Sequence, residues 1–323
     1  MAKFWENKKV LVTGGAGFVG SFVVEELVAQ GAKVTVPARD PKKISFLSSV
    51  QGKVSVLGGD LENASFCQTV AKNQDVAFHL AASVGGIGFN MVHHGSIFKE
   101  NMLATINFLE ACRLSRVERT LIVSSACVYP RHASTPAAEE EGFKDLPEST
   151  NEGYGWAKRM SEFLAQAYSG EYGMKVAIAR PCNVYGPRDN FDPDKSHVIA
   201  ALIERVCKKP DPFEVWGSGE QTRSFIYVED LVKSLLAVAE KYAVGDPVNL
   251  SSDEEIKIKD LVYLILKITG HKPKVVFDTT RPDGYPRRLY DSSKAKKAFG
   301  FKAGTSLEEG LRKTIAWYQA QKS

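Results

Sequence analysis

A tyrosine and a lysine stand four residues apart in the segment Tyr154-Gly-Trp-Ala-Lys158. Residues with this separation share one face of a helix, so the phenol and the ammonium are expected side by side. A phenol has an unperturbed pKa of about 10, and a neighbouring cation favours its ionised form. Two hydroxyl side chains, Ser124 and Ser125, follow an apolar run upstream. Isolated Tyr-xxx-Lys pairs are common on surfaces, but this combination predicts proton transfer at an alcohol or carbonyl oxygen.

A glycine-rich turn lies near the start of the chain, where Gly14, Gly17 and Gly20 follow a short apolar run. This spacing leaves the backbone bare where a pyrophosphate must approach, and it directs a helix N-terminus at that group. A tight strand–helix turn also favours glycine, so the pattern alone is weak. Here a strand-like run precedes the turn and a helical stretch follows it, so the sequence predicts dinucleotide binding.

Two residues after the second strand-like run bear on which dinucleotide binds. NAD sites usually place an acidic residue there, which binds the ribose 2′-hydroxyl. Here the sequence reads Arg39-Asp40, and the guanidinium could receive a 2′-phosphate. The pair therefore modestly favours NADP over NAD, although Asp40 could still serve a free hydroxyl and the pair could be a solvated loop pair. The residues predicted to hold the cofactor are Gly14, Gly17, Phe18, Val19, Gly20, Arg39, Asp60, Leu61, Leu80, Ala81, Ala82, Tyr154, Lys158 and Pro181.

Short β-branched runs alternate with amphipathic stretches over most of the chain. This alternation predicts an α/β fold, a Rossmann-type doubly wound parallel sheet with helices on both faces. The carboxyl ends of such strands share one edge of the sheet, where ligands bind. The predicted strands are 9–13, 33–36, 53–57, 76–80, 120–124, 175–179 and 247–250, and the predicted helices are 17–30, 65–73, 97–116, 154–172 and 228–242.

The alternation breaks after the sixth strand, which predicts a smaller α/β C-terminal lobe. We expect a Rossmann domain at 1–182, to which 221–252 returns, and a lobe at 183–323, made mainly of 183–220 and 253–323. The lobe is predicted to contain helices near 196–208 and 258–270, strands at 213–216 and 274–278, and a last helix from residue 306.

Composition excludes several classes of protein. The 323 residues are 44% hydrophobic, and their net charge of +4 is spread along the chain. That charge predicts no nucleic-acid partner. Five cysteines without ligand spacing predict neither a disulfide framework nor a metal site. The apolar runs are short and the N-terminus is charged, so we expect a cytoplasmic protein with no membrane partner.

The glycine turn, the Ser-Ser pair and Tyr154-xxx-Lys158 together resemble the extended short-chain dehydrogenase/reductase family of nucleotide-sugar enzymes, that is, the NAD-dependent epimerase/dehydratase family. The resemblance spans essentially the whole chain. It implies an NAD(P) domain, a sugar-nucleotide lobe, a cleft between them and catalysis by Ser125, Tyr154 and Lys158. It also implies a homodimer formed through the helix at 97–116 and the helix that bears Tyr154.

Further motifs are similar to segments of GDP-L-fucose synthases and GDP-mannose 3,5-epimerases. They are Ser125-Ala-Cys127-Val-Tyr-Pro130 and the run from Tyr185-Gly-Pro-Arg-Asp-Asn to His197-Val-Ile. In fucose synthases the cysteine and the histidine are the acid/base pair for epimerisation, which implies those roles for Cys127 and His197. Thiol and imidazole have unperturbed pKa values of about 8.5 and 6.5, so both can exchange protons near neutral pH. Taken singly, a cysteine at a strand end is most often a core residue.

The same resemblance implies the substrate contacts. Arginine suits a diphosphate, because its planar fork makes paired, charge-assisted hydrogen bonds. The expected partner is a nucleoside-diphosphate sugar, with a GDP-hexose favoured, although any single arginine could be a plain surface charge. The residues implied are Ser125, Asn183, Val198, Arg205, Trp216, Arg223 and Arg281.

Three functions stay open on the sequence. The first is a 3,5-epimerase/4-reductase of the fucose synthase kind, which consumes NADPH while Tyr154 assists hydride transfer at C4. The second is an epimerase of the GDP-mannose 3,5- or UDP-hexose 4- kind, with transient oxidation of C4 by tightly held NAD. The Gly14-Gly-Ala-Gly17 turn, as in many epimerases, supports this second function. The third is a non-catalytic NAD(P)-binding redox sensor, which the presence of Ser125, Tyr154 and Lys158 together disfavours.

Overall fold

The computed structural model describes residues 4–85, 87–193, 195–281 and 283–322. Its strands follow the apolar runs seen in the sequence, with several short additions after residue 183. In chain order the strands are β1 (Lys9–Thr13), β2 (Lys33–Ala38), β3 (Val54–Gly58), β4 (Val76–His79), β5 (Arg119–Val123), β6 (Val176–Pro181), β7 (Val184–Tyr185), β8 (Phe213–Trp216), β9 (Thr222–Ser224), β10 (Ile226–Tyr227), β11 (Pro247–Leu250), β12 (Glu255–Lys257), β13 (Val275–Asp278) and β14 (Arg287–Arg288).

Seven of these strands form the central sheet. Their spatial order is β3-β2-β1-β4-β5-β6-β11, and every neighbouring pair is parallel. The chain runs outward in one direction through β2 and β3, then crosses to the other side of β1 for β4 to β6. Open α/β sheets bind ligands at the crevice that such a reversal creates. The predicted doubly wound α/β class is confirmed.

Helices cover both faces of the sheet. In chain order they are α1 (Phe18–Ala29), α2 (Ala64–Ala71), α3 (Ile87–Asn90), α4 (His94–Leu114), α5 (Glu152–Tyr172), α6 (Val198–Cys207), α7 (Val228–Lys241), α8 (Ile258–Thr269), α9 (Ser293–Phe299) and α10 (Leu307–Ala320). Helices α1 and α7 pack together on one face, whereas α2, α4 and α5 pack on the other. Within β1, Val10 and Val12 join the first of these cores and Leu11 joins the second. Burial on both faces explains why the strands are almost continuously apolar.

The strands outside the central sheet form three small sheets in the described part of the chain. Strand β8 pairs with β13, β9 lies between β12 and β14, and β7 pairs with β10. Helices α6, α8 and α10 pack against one another. Strand β11 returns to the central sheet beside β6, as expected for this segment. The exact division of the chain into two domains stays a prediction.

The sequence patterns did not predict α9 or the three-stranded sheet of β9, β12 and β14. Helix α9 has seven residues, and the three strands have two or three residues each. Elements this short do not contain enough residues for a repeated apolar pattern, so hydrophobic periodicity cannot reveal them. Their pairing partners also lie far apart in the chain.

A buried ion pair ties α5 to the middle of the sheet. The Arg180 guanidinium on β6 donates two hydrogen bonds to the Glu162 carboxylate on α5, at 2.8 and 2.6 Å. Both side chains are almost fully buried, at 1% and 0% exposure. Arg180 also donates to the Tyr129 hydroxyl at 3.0 Å, and the Ser124 hydroxyl donates to Glu162. The pair therefore fixes α5 against both β6 and the end of β5.

We expect Arg180→Met to lower the free energy of unfolding by about 3–5 kcal/mol, because it leaves a buried carboxylate without its partner. Urea unfolding followed by circular dichroism measures this loss. The matched control is Lys296→Met, which removes an exposed ion pair with Asp253 at 2.7 Å and should cost about 0–1 kcal/mol. Equal losses in the two variants would contradict the anchoring role of the buried pair.

Candidate active site

A cavity of about 1060 Å³ opens at the carboxyl ends of the central strands. The turn after β1, the ends of β2 to β5, the first turn of α5 and the start of α6 all contribute to its wall. The structure gathers most of the predicted site residues there. They are Gly14, Gly17, Phe18, Val19, Gly20, Arg39, Asp60, Leu61, Leu80, Ala81, Ala82, Ser125, Cys127, Tyr154, Pro181, Asn183, His197, Val198 and Arg223. Asp194, in the motif that begins at Tyr185 and contains His197, lies outside the described residues.

The glycine turn has no room for side chains. A Cβ on Gly14 would lie 2.7 Å from the Ala81 nitrogen, and one on Gly20 would lie 2.0 Å from the Gly14 carbonyl oxygen. Gly14 also has a φ of +70°, a backbone conformation that residues with a side chain rarely adopt. Gly17 is the N-cap of α1 and provides no side-chain cap. A bare backbone at a helix N-terminus suits an anion, so this turn fits the pyrophosphate of a dinucleotide.

Arg39 and Asp40 lie at the cavity wall beyond β2, and both are exposed. The Asp40 carboxylate accepts a hydrogen bond from the Lys42 amide at 3.0 Å and lies 3.8 Å from the Lys43 ammonium. Arg39 has no ion-pair partner within the described ranges. Its guanidinium is therefore available to an anionic group that enters this end of the cavity.

Tyr154 and Lys158 lie on the first turns of α5, and Ser125 follows β5. The Lys158 ammonium donates to the Val123 carbonyl at 2.7 Å and lies 5.5 Å from the centre of the Tyr154 ring. Lys158 is buried behind the cavity wall, whereas Ser125 and Tyr154 line the wall itself. The tyrosine and the lysine therefore share a helix face, as their spacing predicted.

The ionisation of Tyr154 differs from the expectation based on its neighbour. Burial raises the pKa of the phenol above its usual range, and the nearby Cys127 adds to this rise, while the Ser125 hydroxyl opposes it. Burial also lowers the pKa of Lys158 to about 8. The phenol is thus protonated at neutral pH, because removal from water disfavours its charged form.

Cys127 and His197 reach the same cavity from different elements. Cys127 lies in a 3₁₀ turn after β5, and its amide donates to the Ser125 hydroxyl oxygen at 3.2 Å. His197 is the N-cap of α6. Burial raises the pKa of the Cys127 thiol and lowers the pKa of the His197 imidazole. At neutral pH one group therefore holds a proton and the other can accept one.

The far wall of the cavity contains Asn183 and Arg223. Asn183 has a φ of +48°, and its side-chain amide donates to the Ser224 carbonyl at 2.9 Å. The Arg223 guanidinium donates to two backbone carbonyls, those of Thr222 at 2.7 Å and Tyr285 at 2.8 Å. No carboxylate of the described residues forms an ion pair with Arg223. Its positive charge is therefore open to an anionic ligand.

The structure does not bring the other three predicted substrate residues to the cavity wall. The Arg205 guanidinium lies 5.0 Å from the centre of the Phe213 ring and donates to the Glu214 carbonyl. Arg281 lies 5.2 Å from the centre of the Trp216 ring, and Trp216 is 64% exposed. The substrate role of these three residues stays a prediction.

Sequence reasoning missed several residues of the cavity wall, among them Glu148, Asp189, Arg288 and Tyr290. The Glu148 carboxylate accepts a hydrogen bond from Arg288 at 2.9 Å. Burial raises the pKa of Asp189 to about 7. Asp189 stands inside a recognised motif, but Glu148 and Arg288 lie in loop-rich stretches with many other charges. Nothing in their local sequence distinguishes them from surface residues.

Other features of the described chain bear on the chemistry. No three His, Cys, Asp or Glu side chains among these residues are placed to hold a metal ion. All five cysteines are free thiols. No helix in the described ranges is long and apolar enough to cross a membrane.

A bare glycine turn on a Rossmann-type sheet, with Tyr154 and Cys127 in the cavity beside it, defines an NAD(P)-dependent enzyme. The sequence profile of the NAD dependent epimerase/dehydratase family matches residues 10–251, and the chain belongs to that family. The family predicted from the motifs is therefore confirmed.

Known relatives cover nearly the whole chain. GDP-L-fucose synthase of Sinorhizobium fredii is 33% identical over 313 residues, which span 96% of this chain and 95% of that protein. GDP-mannose 3,5-epimerase of Arabidopsis thaliana is 30% identical and spans 99% of this chain and 85% of that protein. The solved structure of UDP-glucose 4-epimerase of Thermotoga maritima with UDP-glucose has a TM-score of 0.86 and 27% identity, with 98% of this chain and all of that chain covered.

We expect Gly14→Ala to weaken dinucleotide binding tenfold or more, because its methyl group would collide with the Ala81 backbone and strain a left-handed residue. Fluorescence titration with NADPH and NADH measures the affinity. Gly170→Ala is the matched control, since a Cβ there meets no atom within 4 Å. Unchanged affinity in Gly14→Ala would mean that the turn does not hold the dinucleotide.

Proposed function

We propose that the protein is a nucleotide-sugar 3,5-epimerase/4-reductase that resembles GDP-L-fucose synthase. The observation that carries this proposal is the convergence of Ser125, Tyr154, Cys127 and His197 on one cavity that also contains the glycine turn. A reductase alone needs only Tyr154 with Ser125 and Lys158. Proton exchange at carbon also requires an acid and a base, and the additional thiol and imidazole can take these roles.

We assign NADP rather than NAD as the cofactor. The support is Arg39, which lies exposed at the end of β2 without an ion-pair partner in the described part of the chain. An arginine there matches the charge of a ribose 2′-phosphate. When bound, the nicotinamide supplies the hydride for C4 of the sugar. The residues proposed to hold the dinucleotide are Gly14, Gly17, Phe18, Val19, Gly20, Arg39, Asp60, Leu61, Leu80, Ala81, Ala82, Tyr154, Lys158 and Pro181.

Tyr154 donates its phenolic proton to the C4 oxygen of the sugar in the proposed reduction. Burial keeps the phenol protonated at neutral pH, which is the form this step needs. Ser125, next to Tyr154 at the cavity wall, orients the same oxygen. Lys158, held on the Val123 carbonyl, stabilises the phenolate that remains after proton transfer.

Cys127 and His197 exchange protons at C3 and C5 in the proposed epimerisation. A proton next to the C4 carbonyl of a 4-ketosugar is acidic, because the resulting negative charge delocalises onto the carbonyl oxygen as an enolate. Inversion of a carbon requires proton removal on one face and proton return on the other. A protonated thiol and a neutral imidazole are one donor and one acceptor for this exchange.

We propose a nucleoside-diphosphate sugar as the substrate, with a GDP-hexose favoured. The free charge of Arg223 at the cavity wall supports the diphosphate. The GDP-linked names of two relatives support the base. The other residues proposed to contact the substrate are Ser125, Asn183, Val198, Arg205, Trp216 and Arg281.

A second candidate function keeps the fold but has no net redox change. In this function the enzyme oxidises C4 transiently with tightly held NAD and returns the same hydride. The similarity to UDP-glucose 4-epimerase and GDP-mannose 3,5-epimerase supports it. The two functions differ in one measurement: a 4-reductase consumes one NADPH per sugar, whereas an epimerase consumes none. Mass spectrometry of ligands released from the purified protein would also distinguish them.

We also propose a cytoplasmic homodimer that associates through α4 and α5. Apolar side chains remain exposed on both helices although the two helices pack together. They include Phe98, Leu103, Ile106 and Phe163, at 38–60% exposure. Covering these side chains would remove exposed apolar surface from water. Five free thiols suit a reducing compartment.

We expect Tyr154→Phe to reduce turnover of a 4-ketosugar nucleotide by about 10²–10⁴-fold, since it removes the group that donates the proton. Cofactor affinity should change little, because the variant removes only the hydroxyl of one of the proposed dinucleotide contacts and leaves the glycine turn and Lys158 in place. NADPH oxidation and fluorescence titration measure the two effects. Full turnover in this variant would refute the role assigned to Tyr154.

Cys127→Ser should slow the uptake of solvent deuterium at C3 or C5 of a 4-keto substrate, because a hydroxyl is a much weaker acid than a thiol. Mass spectrometry of the product measures this uptake. Cys207→Ser is the matched control, since this half-buried thiol does not line the cavity. If Cys127→Ser exchanged as fast as the parent enzyme, the cysteine would be structural and the protein a simple C4 enzyme.

A further inference from the structure

An ion pair that the proposed mechanism does not use lies in the wall of the active-site cavity. The Arg288 guanidinium donates to the Glu148 carboxylate at 2.9 Å, and both side chains are mostly buried, at 22% and 18% exposure. Both residues line the same cavity as Cys127. Removing two charges from water costs free energy, so an ion pair in such surroundings calls for a functional explanation.

Separate elements place the two partners near the Cys127 turn. Arg288 lies on β14, whose register partner on β9 is Arg223, and its guanidinium is 4.8 Å from the centre of the Tyr285 ring. Glu148 follows Pro147. A Cβ built on Gly155 would lie 2.6 Å from a Pro147 side-chain atom and 2.8 Å from the Cys127 carbonyl oxygen. The Glu148 loop and the cysteine turn therefore meet at the same spot on α5.

Several groups set the charge around the thiol. Burial is the largest effect and raises the pKa of Cys127. The cations of Arg288 and Lys158 oppose this rise, as does the Ser125 hydroxyl, while the Glu148 carboxylate adds to it. Two phenols that stay protonated, Tyr154 and Tyr290, complete the surroundings. Of the two cations that act on the thiol, Arg288 lines the cavity, whereas Lys158 is held behind the wall by the Val123 carbonyl.

We propose that Arg288 is a positioning residue for epimerisation, whose positive charge, held in the cavity by Glu148, stabilises the thiolate of Cys127. With this support the thiolate of Cys127 can take a proton from carbon and become a thiol, and the thiol can give its proton up again. The electron pair of the broken carbon–hydrogen bond stays on the enolate. This inference rests on the proposed function, in which Cys127 exchanges protons with the sugar.

The Glu148 carboxylate weakens the stabilisation of the Cys127 thiolate by Arg288. Its carboxylate neutralises part of the Arg288 charge and also raises the pKa of Cys127 directly. Removal of the Arg288 charge and removal of the Glu148 charge should therefore shift the thiol in opposite directions. A pair that only ties β14 to the Glu148 loop would give both variants the same defect in stability and no opposed shift.

The experiment measures the pH dependence of Cys127 alkylation by iodoacetamide on the full-length protein, with the modified peptide quantified by mass spectrometry. The thiolate is the reactive form, so the midpoint of this profile reports its stability. We expect Arg288→Met to raise the midpoint by about half a pH unit or more, which lowers the alkylation rate at neutral pH about threefold. Arg288→Lys should keep the parent midpoint, and Glu148→Gln should lower it.

The matched control is Arg287→Met, which changes the neighbouring arginine. Arg287 pairs with Glu255 at 2.8 Å on the exposed side and does not line the cavity, so its removal should leave the midpoint unchanged. An unchanged midpoint in Arg288→Met overturns the inference, even if activity falls. If Arg288→Met does not fold, Glu148→Gln decides, and a midpoint that fails to fall overturns the inference equally. A different result would separate the two proposals. If Arg288→Met and Glu148→Gln shift the alkylation midpoint in opposite directions, but Cys127→Ser takes up deuterium as fast as the parent enzyme, the charge coupling is supported and the epimerase assignment is refuted.

Discussion

The buried pair of Glu162 and Arg180 holds helix α5 against the sheet. Helix α5 carries Tyr154 and Lys158 two turns and one turn before Glu162, so the position of this carboxylate sets where the phenol meets the cavity. The same carboxylate accepts the Ser124 hydroxyl, the residue just before Ser125. One ion pair thus aligns the end of β5, the start of α5 and the end of β6. Its high desolvation cost is offset by bidentate geometry and by further hydrogen bonds to the guanidinium.

Burial also determines which protons the site holds. It keeps Tyr154 and Cys127 protonated and His197 neutral, and it lowers the pKa of Lys158 to about 8. A charge that develops in such a cavity interacts strongly with its neighbours, because little water screens it. In the proposed reaction the lysine therefore acts on the phenolate formed during proton transfer rather than on the phenol at rest. The same reasoning applies to the thiol and the arginine of β14.

The two ends of the cavity offer a phosphate group different features. At the cofactor end, a bare backbone and a helix N-terminus do the work, and the requirement is the absence of side chains at Gly14 and Gly20. At the proposed substrate end, Arg223 supplies a positive charge that forms no ion pair with a carboxylate of the described residues.

The sequence by itself determined the doubly wound sheet, the dinucleotide turn and the pairing of Tyr154 with Lys158. The turn and the Tyr154–Lys158 pair depend on contacts between residues close in the chain, and the alternation of strand-like and helical periodicity is enough to indicate the class of sheet. Only the tertiary structure decided the ionisation of the phenol, because desolvation depends on everything packed around it. It alone brought Arg288 to Glu148, which lies 140 residues earlier in the chain. It also left Trp216, at the end of β8, outside the cavity wall, since the position of a short strand relative to a distant cavity does not follow from local sequence patterns.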